Sequence, residues 1–440
     1  MKRTKFFAML LACLMVVALV PVVAAPAAAA EKVVYVGNDA KGDGSAPDKA
    51  LASLADAFAA IGDEDGVIVL IEEYEYFEGV DVPEHKGHIT ITGKYNGVDY
   101  KGGIYCANTN QDGHLRLGGD TTFENLVLWV TNTWVIRARF HHLTMGEGVT
   151  TRSDNPAHDE TYPRIYLVGG DQGSGSTYDT SKDTHLTIKS GTFYEVMAGP
   201  RSGAPSDYTG KAVFEMTGDA KVYKLALTGR STATVNYGSG LMVLDGGSIA
   251  CWATAHDSKA TGCLGDVQIV LTKNFDYTKS FNDNNGERIL TDGSGNQIFY
   301  GISGSSVFVG YEAATLFAKS ELLIDPSIKA AIEAAGVINP AGFTEVKEYV
   351  YTGTIGSGTL GDAPAADTTA AVTTAADTTA AVVDTTAAVV DTTAAVADTT
   401  EATGQVTPPT GDNSAVLFAV SAAALVAVAA MVFFKKRVTE

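Results

Sequence analysis

The chain has 440 residues, 45% of them hydrophobic, and its 51 acidic against 31 Lys and Arg side chains give a formal charge of −20. Residues 1–30 carry +3 and residues 412–440 carry +1, which leaves −24 on 31–411. Phosphate binding needs clustered Lys and Arg, so this balance excludes a nucleic-acid binder held by charge attraction and fits an exported surface that collects divalent cations.

The N-terminus reads as a secretory signal over 1–30: Lys2, Arg3 and Lys5, an apolar run from Phe6 to Val23, then Ala28-Ala29-Ala30 as the exit before Glu31. Beyond it stand Cys106, Cys251 and Cys263, an odd number in an exported chain. A disulfide framework is therefore not expected, at most Cys251 and Cys263 pair, and the thiols are read as small buried apolar groups.

Val33-Val34-Tyr35-Val36 reads as a short strand and is followed by a Gly/Asp-rich turn. Asp48 to Ile61 has helical spacing, with Leu51, Leu54, Ala55, Phe58 and Ile61 on one face. The period then changes to that of strands at Val67–Ile71 and His88–Thr92, and short strands separated by Gly, Asp and Asn continue to about residue 310.

The decisive feature is self-similarity. Ile188-Lys189-Ser190-Gly191, Met216-Thr217-Gly218-Asp219 and Leu244-Asp245-Gly246-Gly247 share an apolar strand end and a tight Gly turn, and their first residues are equally spaced along the chain. Leu117 and Met145 repeat the same spacing upstream. An interval of this size suits one coil of a solenoid with three short strands, each coil burying its inward side chains against its neighbours. Arg288–Phe299 reads as a hairpin around Asp292-Gly293. Asp325-Pro326 opens a helix that runs to Ala335 and ends at Gly336.

The Gly-Asn-Asp and Gly-Asp-Gly-Ser-Ala-Pro-Asp-Lys turns after the first strand, the helix that follows, and segments such as Gly119–Leu128 and Leu186–Phe193 carry a resemblance. They resemble right-handed parallel β-helix proteins of the pectin-lyase-like superfamily. The resemblance implies an all-β, right-handed parallel β-helix (β-solenoid) over 31–310, with the first helix capping its open end and 311–357 as a C-terminal cap.

From about 358 to 406 the composition collapses to Ala, Thr, Val and Asp, with Asp-Thr-Thr at Asp377, Asp384, Asp391 and Asp398. No large apolar residue fills a second heptad position, so a disordered stalk is expected and not a coiled coil. Residues 407–440 follow, with Thr407-Pro408-Pro409-Thr410-Gly411, an uncharged apolar stretch over 415–434 and Lys435-Lys436-Arg437. The apolar stretch is long enough for a transmembrane helix. The order of these parts resembles the LPxTG-like cell-wall sorting signal that sortase recognises in Gram-positive bacteria. By that resemblance Pro408, Thr410 and Gly411 are the recognition residues, and the chain is cut after Thr410 and linked to peptidoglycan. Thr407 stands where leucine is commonest. The expected location is extracellular, anchored to wall or membrane, with the apolar helix in the membrane before sorting.

Candidate chemistry is thinner. Adjacent strand residues face opposite ways, so His141 and His142 are not expected to share a metal with Glu147. Asn38-Asp39 with Asp43-Gly44, and Asn282–Glu287, are candidates for Ca2+, although neither has the alternating spacing of a calcium loop and both read as ordinary turns. Arg152–Glu160, with Arg137, Arg139, Arg164 and Arg201, holds the residue types of a polysaccharide lyase or hydrolase. Trp129, Trp134 and Trp252 are candidates for stacking on sugars. No catalytic residue, metal ligand or cofactor is assigned. The expectation is a surface-anchored binding or adhesion protein for glycans or host proteins, with a surface polysaccharide lyase or glycoside hydrolase as the alternative and a structural surface-layer component as a third reading.

Overall fold

The computed structural model describes residues 31–353 other than 77–78, 108–112, 155–160, 171–178, 202–207, 229–237 and 258–264. The signal, the stalk, Cys263, the apolar stretch 415–434 and the sorting residues Pro408, Thr410 and Gly411 all lie outside the described residues. No helix among the described residues is long and apolar enough to cross a membrane. Residues 31–290 and 298–353 form one compact unit, and Thr291–Gln297 belong to another. In the latter, Asp292 Oδ1 accepts from the backbone N–H groups of Ser294 at 2.9 Å and Asn296 at 2.7 Å, forming the expected turn.

The large unit is mostly β, with a 17-stranded sheet, a parallel four-stranded sheet and few helices. One parallel ladder begins at Lys32–Val36 and Gly66–Leu70. Its inward partners run Ile68, Ile91, Phe123, Met145, Ile188, Met216, Leu244, Leu271 and Ile324. Each of these side chains is fully buried, a contribution of about 1.5–3 kcal/mol apiece. A second ladder aligns Leu115, Ile136, Leu167, Val196, Leu225, Ala253 and Ile302 in the same way. The four-stranded sheet adds Tyr74, Ile104 and Leu128, and all three sets meet in one core. The long strands Ala212–Ala226 and Gly240–His256 run through both ladders and join them.

The repeated interval is physical where Ile188 pairs with Met216 and Met216 with Leu244. Upstream it is a coincidence. Met145 pairs with Phe123, whereas Leu117 lies in the other ladder and donates its N–H to Arg137 O at 2.9 Å. Elsewhere the intervals differ because the connections differ in length: a short one joins Ile68 to its partner Ile91, and the one from Leu271 to Ile324 is more than twice as long.

The first helix is shorter than its spacing predicts, Leu54–Ile61 in place of Asp48–Ile61. Pro47–Lys49 is a single 3-10 turn, and Leu51 is extended, donating to Tyr35 O at 2.8 Å. Helical backbone starts only where Ser53 Oγ accepts the Asp56 N–H at 3.2 Å. Leu54, Ala57, Phe58 and Ile61 are buried, and the helix packs on the first strand. The later helix, Pro326–Ala334, is capped by Asp325, and Gly336 follows with φ +64. Around it, Lys319–Ile324 and Glu345–Glu348 extend the first ladder.

Candidate functional site

Outside the core, the second ladder lines up Val135, Tyr166, Glu195, Lys224 and Trp252 in direct register. Tyr194 and Tyr223, next to this column, stack at 5.1 Å and 24°. Tyr166 lies 5.4 Å from Tyr194, Tyr162 5.1 Å from Tyr223, and Tyr300 meets Trp252 edge-on at 5.7 Å. Lys224 Nζ sits 4.8 Å from the Trp252 ring centre, 5.4 Å from Tyr194 and 5.5 Å from Tyr223. Arg164 lies 5.6 Å over Tyr194 and Arg201 5.1 Å over Tyr166. Ring faces hold these cations by their quadrupoles.

The four-stranded sheet adjoins this strip, with Thr192 N donating to Thr151 Oγ1 at 3.0 Å, and carries a second aromatic and cationic group. There Glu75, Tyr105, Trp129 and Arg152 stand in register. Tyr105 and Trp129 are 4.2 Å apart, and Arg152 lies 3.5 Å over Trp129 while reaching Glu73 at 2.8 Å.

Burial raises the phenols of Tyr166, Tyr223 and Tyr300, so they stay protonated donors. Tyr223 gives its proton to Asp283 Oδ2 at 2.8 Å. The buried Cys251 thiol beside it is pushed up to about 12, chiefly by burial, which removes it as a nucleophile at neutral pH. The strip therefore offers rings, cations and hydroxyl donors, the groups that hold a polar polymer.

A separate groove of about 530 Å³ lies on the outer face of the first ladder, between that face and Val350–Gly353. Glu147, Glu215, Asp245 and Asp325 line it together with Lys189 and Lys273. Thr272 and Asn274 donate to Asp245 Oδ1 at 2.5 and 2.9 Å, and Tyr351 donates to Glu215 Oε1 at 3.4 Å. Burial, with Asp245 adding to it, raises the Glu215 carboxyl. The two carboxylates thus sit in unlike surroundings, one desolvated and one held by two neutral donors.

The residues singled out from sequence scatter. His141 Nε2 contacts Glu84 Oε2 at 3.3 Å, His142 meets His185, and Glu147 lines the groove. Arg139 contacts Glu84 at 3.5 Å and Arg137 is buried, so neither joins Arg152. Arg164 and Arg201 do join the strip. Trp252 belongs to it as well and Trp129 to the adjoining group, whereas Trp134 is wholly buried in the core. Asp43 Oδ1 accepts from Ser45 N and Oγ, and Asn284 bonds Glu287 O, so both calcium candidates close turns. Among the described residues no group of three or more His, Cys, Asp or Glu side chains is arranged to hold a metal ion.

Sequence reasoning missed Tyr166, Tyr194, Tyr223, Lys224, Glu215 and Asp245. A signal exists for three of the strip residues, because Tyr194, Tyr223 and Trp252 recur at one constant interval along the chain. Comparison with protein-family models, curated proteins and solved structures finds no match for the chain.

Proposed function

We propose that the folded region is a right-handed parallel β-helix of the pectin-lyase-like kind, exported and tethered to the bacterial surface, that binds glycans on its aromatic and cationic strip. The strip is the observation that carries this reading. Rings take the C–H faces of sugars, and the guanidinium, ammonium and phenol donors take hydroxyl and carboxylate oxygens. The tether rests on Pro408, Thr410 and Gly411, with sortase and peptidoglycan as the partners. Two measurements test the two halves. Retention on immobilised polysaccharides is expected to fall at least tenfold in Tyr194→Ala and in Lys224→Ala, and equal retention by parent and variants sinks the binding site. Mass spectrometry of wall-released protein is expected to find a C-terminus at Thr410, and a chain intact to Glu440 leaves a membrane anchor only.

A second reading, a surface glycoside hydrolase, is favoured by the groove. A desolvated Glu215 suits a general acid and a hydrogen-bonded Asp245 suits the partner carboxylate. New reducing ends from a polysaccharide panel, lost in Glu215→Gln and Asp245→Asn, are its expected signature.

A further inference from the structure

Asp120, His142 and His185 follow one another across three adjacent strands on the outer face of the first ladder, and none of them lines the groove or the strip. His142 and His185 are register partners on parallel strands. Their rings meet edge-on with centres 5.0 Å apart. Asp120 Oδ1 accepts the His142 backbone N–H at 2.9 Å, and its Oδ2 stands 3.9 Å from His142 Nδ1. His185 Nε2 is shielded from solvent and has no hydrogen-bond partner among the described residues. Such an atom costs stability unless something uses it.

The chemistry of this group is specific. Two imidazoles on neighbouring strands lie at the separation of parallel strands, about 4.8 Å, which lets both turn a nitrogen toward one point. At 3.9 Å the Asp120 carboxylate makes no hydrogen bond to His142 Nδ1, but its negative charge favours the proton on that nitrogen and leaves Nε2 to face the metal. His142 is 60% exposed by its side chain and can turn without displacing the core, and an ion with water in its shell reaches the shielded His185 Nε2 only once that ring turns aside. Nearby His88 is engaged with Thr122 Oγ1 at 2.9 Å and His141 with Glu84, so neither competes for the same point.

We propose that His142 and His185 bind a divalent transition-metal ion of the zinc, copper or nickel class, with solvent completing the shell and Asp120 orienting His142. Nitrogen ligands select this class over calcium or magnesium, which take oxygen. With only two protein ligands the site is open, so the ion remains exchangeable and able to accept a further donor from a bound partner.

The test is a Cu2+ titration of the full chain, free of any histidine tag, followed by electron paramagnetic resonance, with Zn2+ calorimetry in parallel. The expected result is one ion per chain, a nitrogen coupling pattern from two imidazoles, and at least a tenfold loss of affinity in His142→Gln and in His185→Gln. Asp120→Asn is expected to weaken binding by about tenfold while keeping the two-nitrogen signature. His88→Gln is expected to leave both unchanged. Parent affinity in His142→Gln, an exposed position whose substitution leaves the core intact, overturns the proposal. So does the absence of ion binding by the parent chain, or an equal loss in His88→Gln.

Discussion

Tyr194 and Tyr223 stack 5.1 Å apart on strands whose next residues, Glu195 and Lys224, are register partners. The same two strands thus carry a ring contact beside two oppositely charged register partners, so stability and recognition can be separated by substitution. Tyr223→Phe keeps the stack and deletes the hydroxyl's bonds to the exposed Asp283 and to the Cys251 thiol, at an expected cost of about 1 kcal/mol. Tyr194→Ala removes the stack, which is worth about 0.5–1.5 kcal/mol beyond its buried area. Denaturant midpoints measure both, and only the second variant is expected to lose glycan retention.

Met216 is fully buried between its partners Ile188 and Leu244. Met216→Ala is expected to cost about 2–5 kcal/mol, because neighbouring strands hold their positions and a cavity remains. Val346, 42% exposed on the last strand of the ladder, serves as the comparison, with Val346→Ala expected within about 0.5 kcal/mol of the parent. Equal effects in urea unfolding would overturn the inward assignment of Met216.

Gly218 has φ +62, and a Cβ there would stand 2.3 Å from Lys189 O. Gly336 has nearly the same φ, +64, with open space around it. Gly336→Ala is therefore expected to show only the conformational cost of about 1 kcal/mol. Gly218→Ala adds a backbone clash and is expected to lower the unfolding midpoint further. The difference between the two variants reads how tightly adjacent strands approach at the repeated turn.

Two of the groups through which acid acts have windows that open at different pH. His256 is fully buried, and burial holds its imidazole down to about 3 against 6.5 when unfolded. Thr228 gives its proton to Ala255 O at 2.7 Å, which assigns a proton on His256 Nδ1 to the 3.1 Å contact with Thr228 Oγ1. The unfolded chain binds this proton first, so stability present above pH 6.5 is lost progressively as pH falls toward 3. For Glu321, burial opposes the charge, yet Lys319, Lys347 and Gln268 outweigh it and hold the carboxyl at about 2 against 4.5. Its contribution is present above 4.5 and lost as pH falls through 2. Urea unfolding at stepped pH is expected to show a decline from about 6.5 that steepens below 4.5, with Glu321→Gln removing only the steeper part. Unchanged stability between pH 6.5 and 5 would sink the role given to His256.

Much of the framework is legible in the residues. Strands such as Lys32–Val36, Gly66–Leu70 and Ile89–Thr92 follow from β-branched residues between turn signals, and Pro326–Ala334 follows from Asp325, Pro326 and Gly336. The helix at Leu54 is shorter than its spacing implies because Leu51 satisfies helical periodicity although its backbone is paired with Tyr35. The contacts that build the three surfaces are not legible. Glu73 and Arg152 are 79 positions apart, Tyr351 reaches Glu215 across 136, and His142 meets His185 over two intervening strands, Thr150–Ser153 and Ile165–Val168.

The sequence by itself determined which side chains face inward, because a strand has period two and a partly buried sheet rejects any register that exposes its apolar set. It also determined the local turns and caps, which are settled within each short segment. Only the tertiary structure decided which outward residues meet. Successive partners in one ladder are separated by connections of unequal length, short from Ile68 to Ile91 and more than twice as long from Leu271 to Ile324, so outside the repeated segment from Ile188 to Trp252 neighbours across strands have no fixed spacing along the chain. That is why Arg164, Arg201 and Lys224 gather around Tyr166 and Tyr194 although the chain as a whole is strongly acidic.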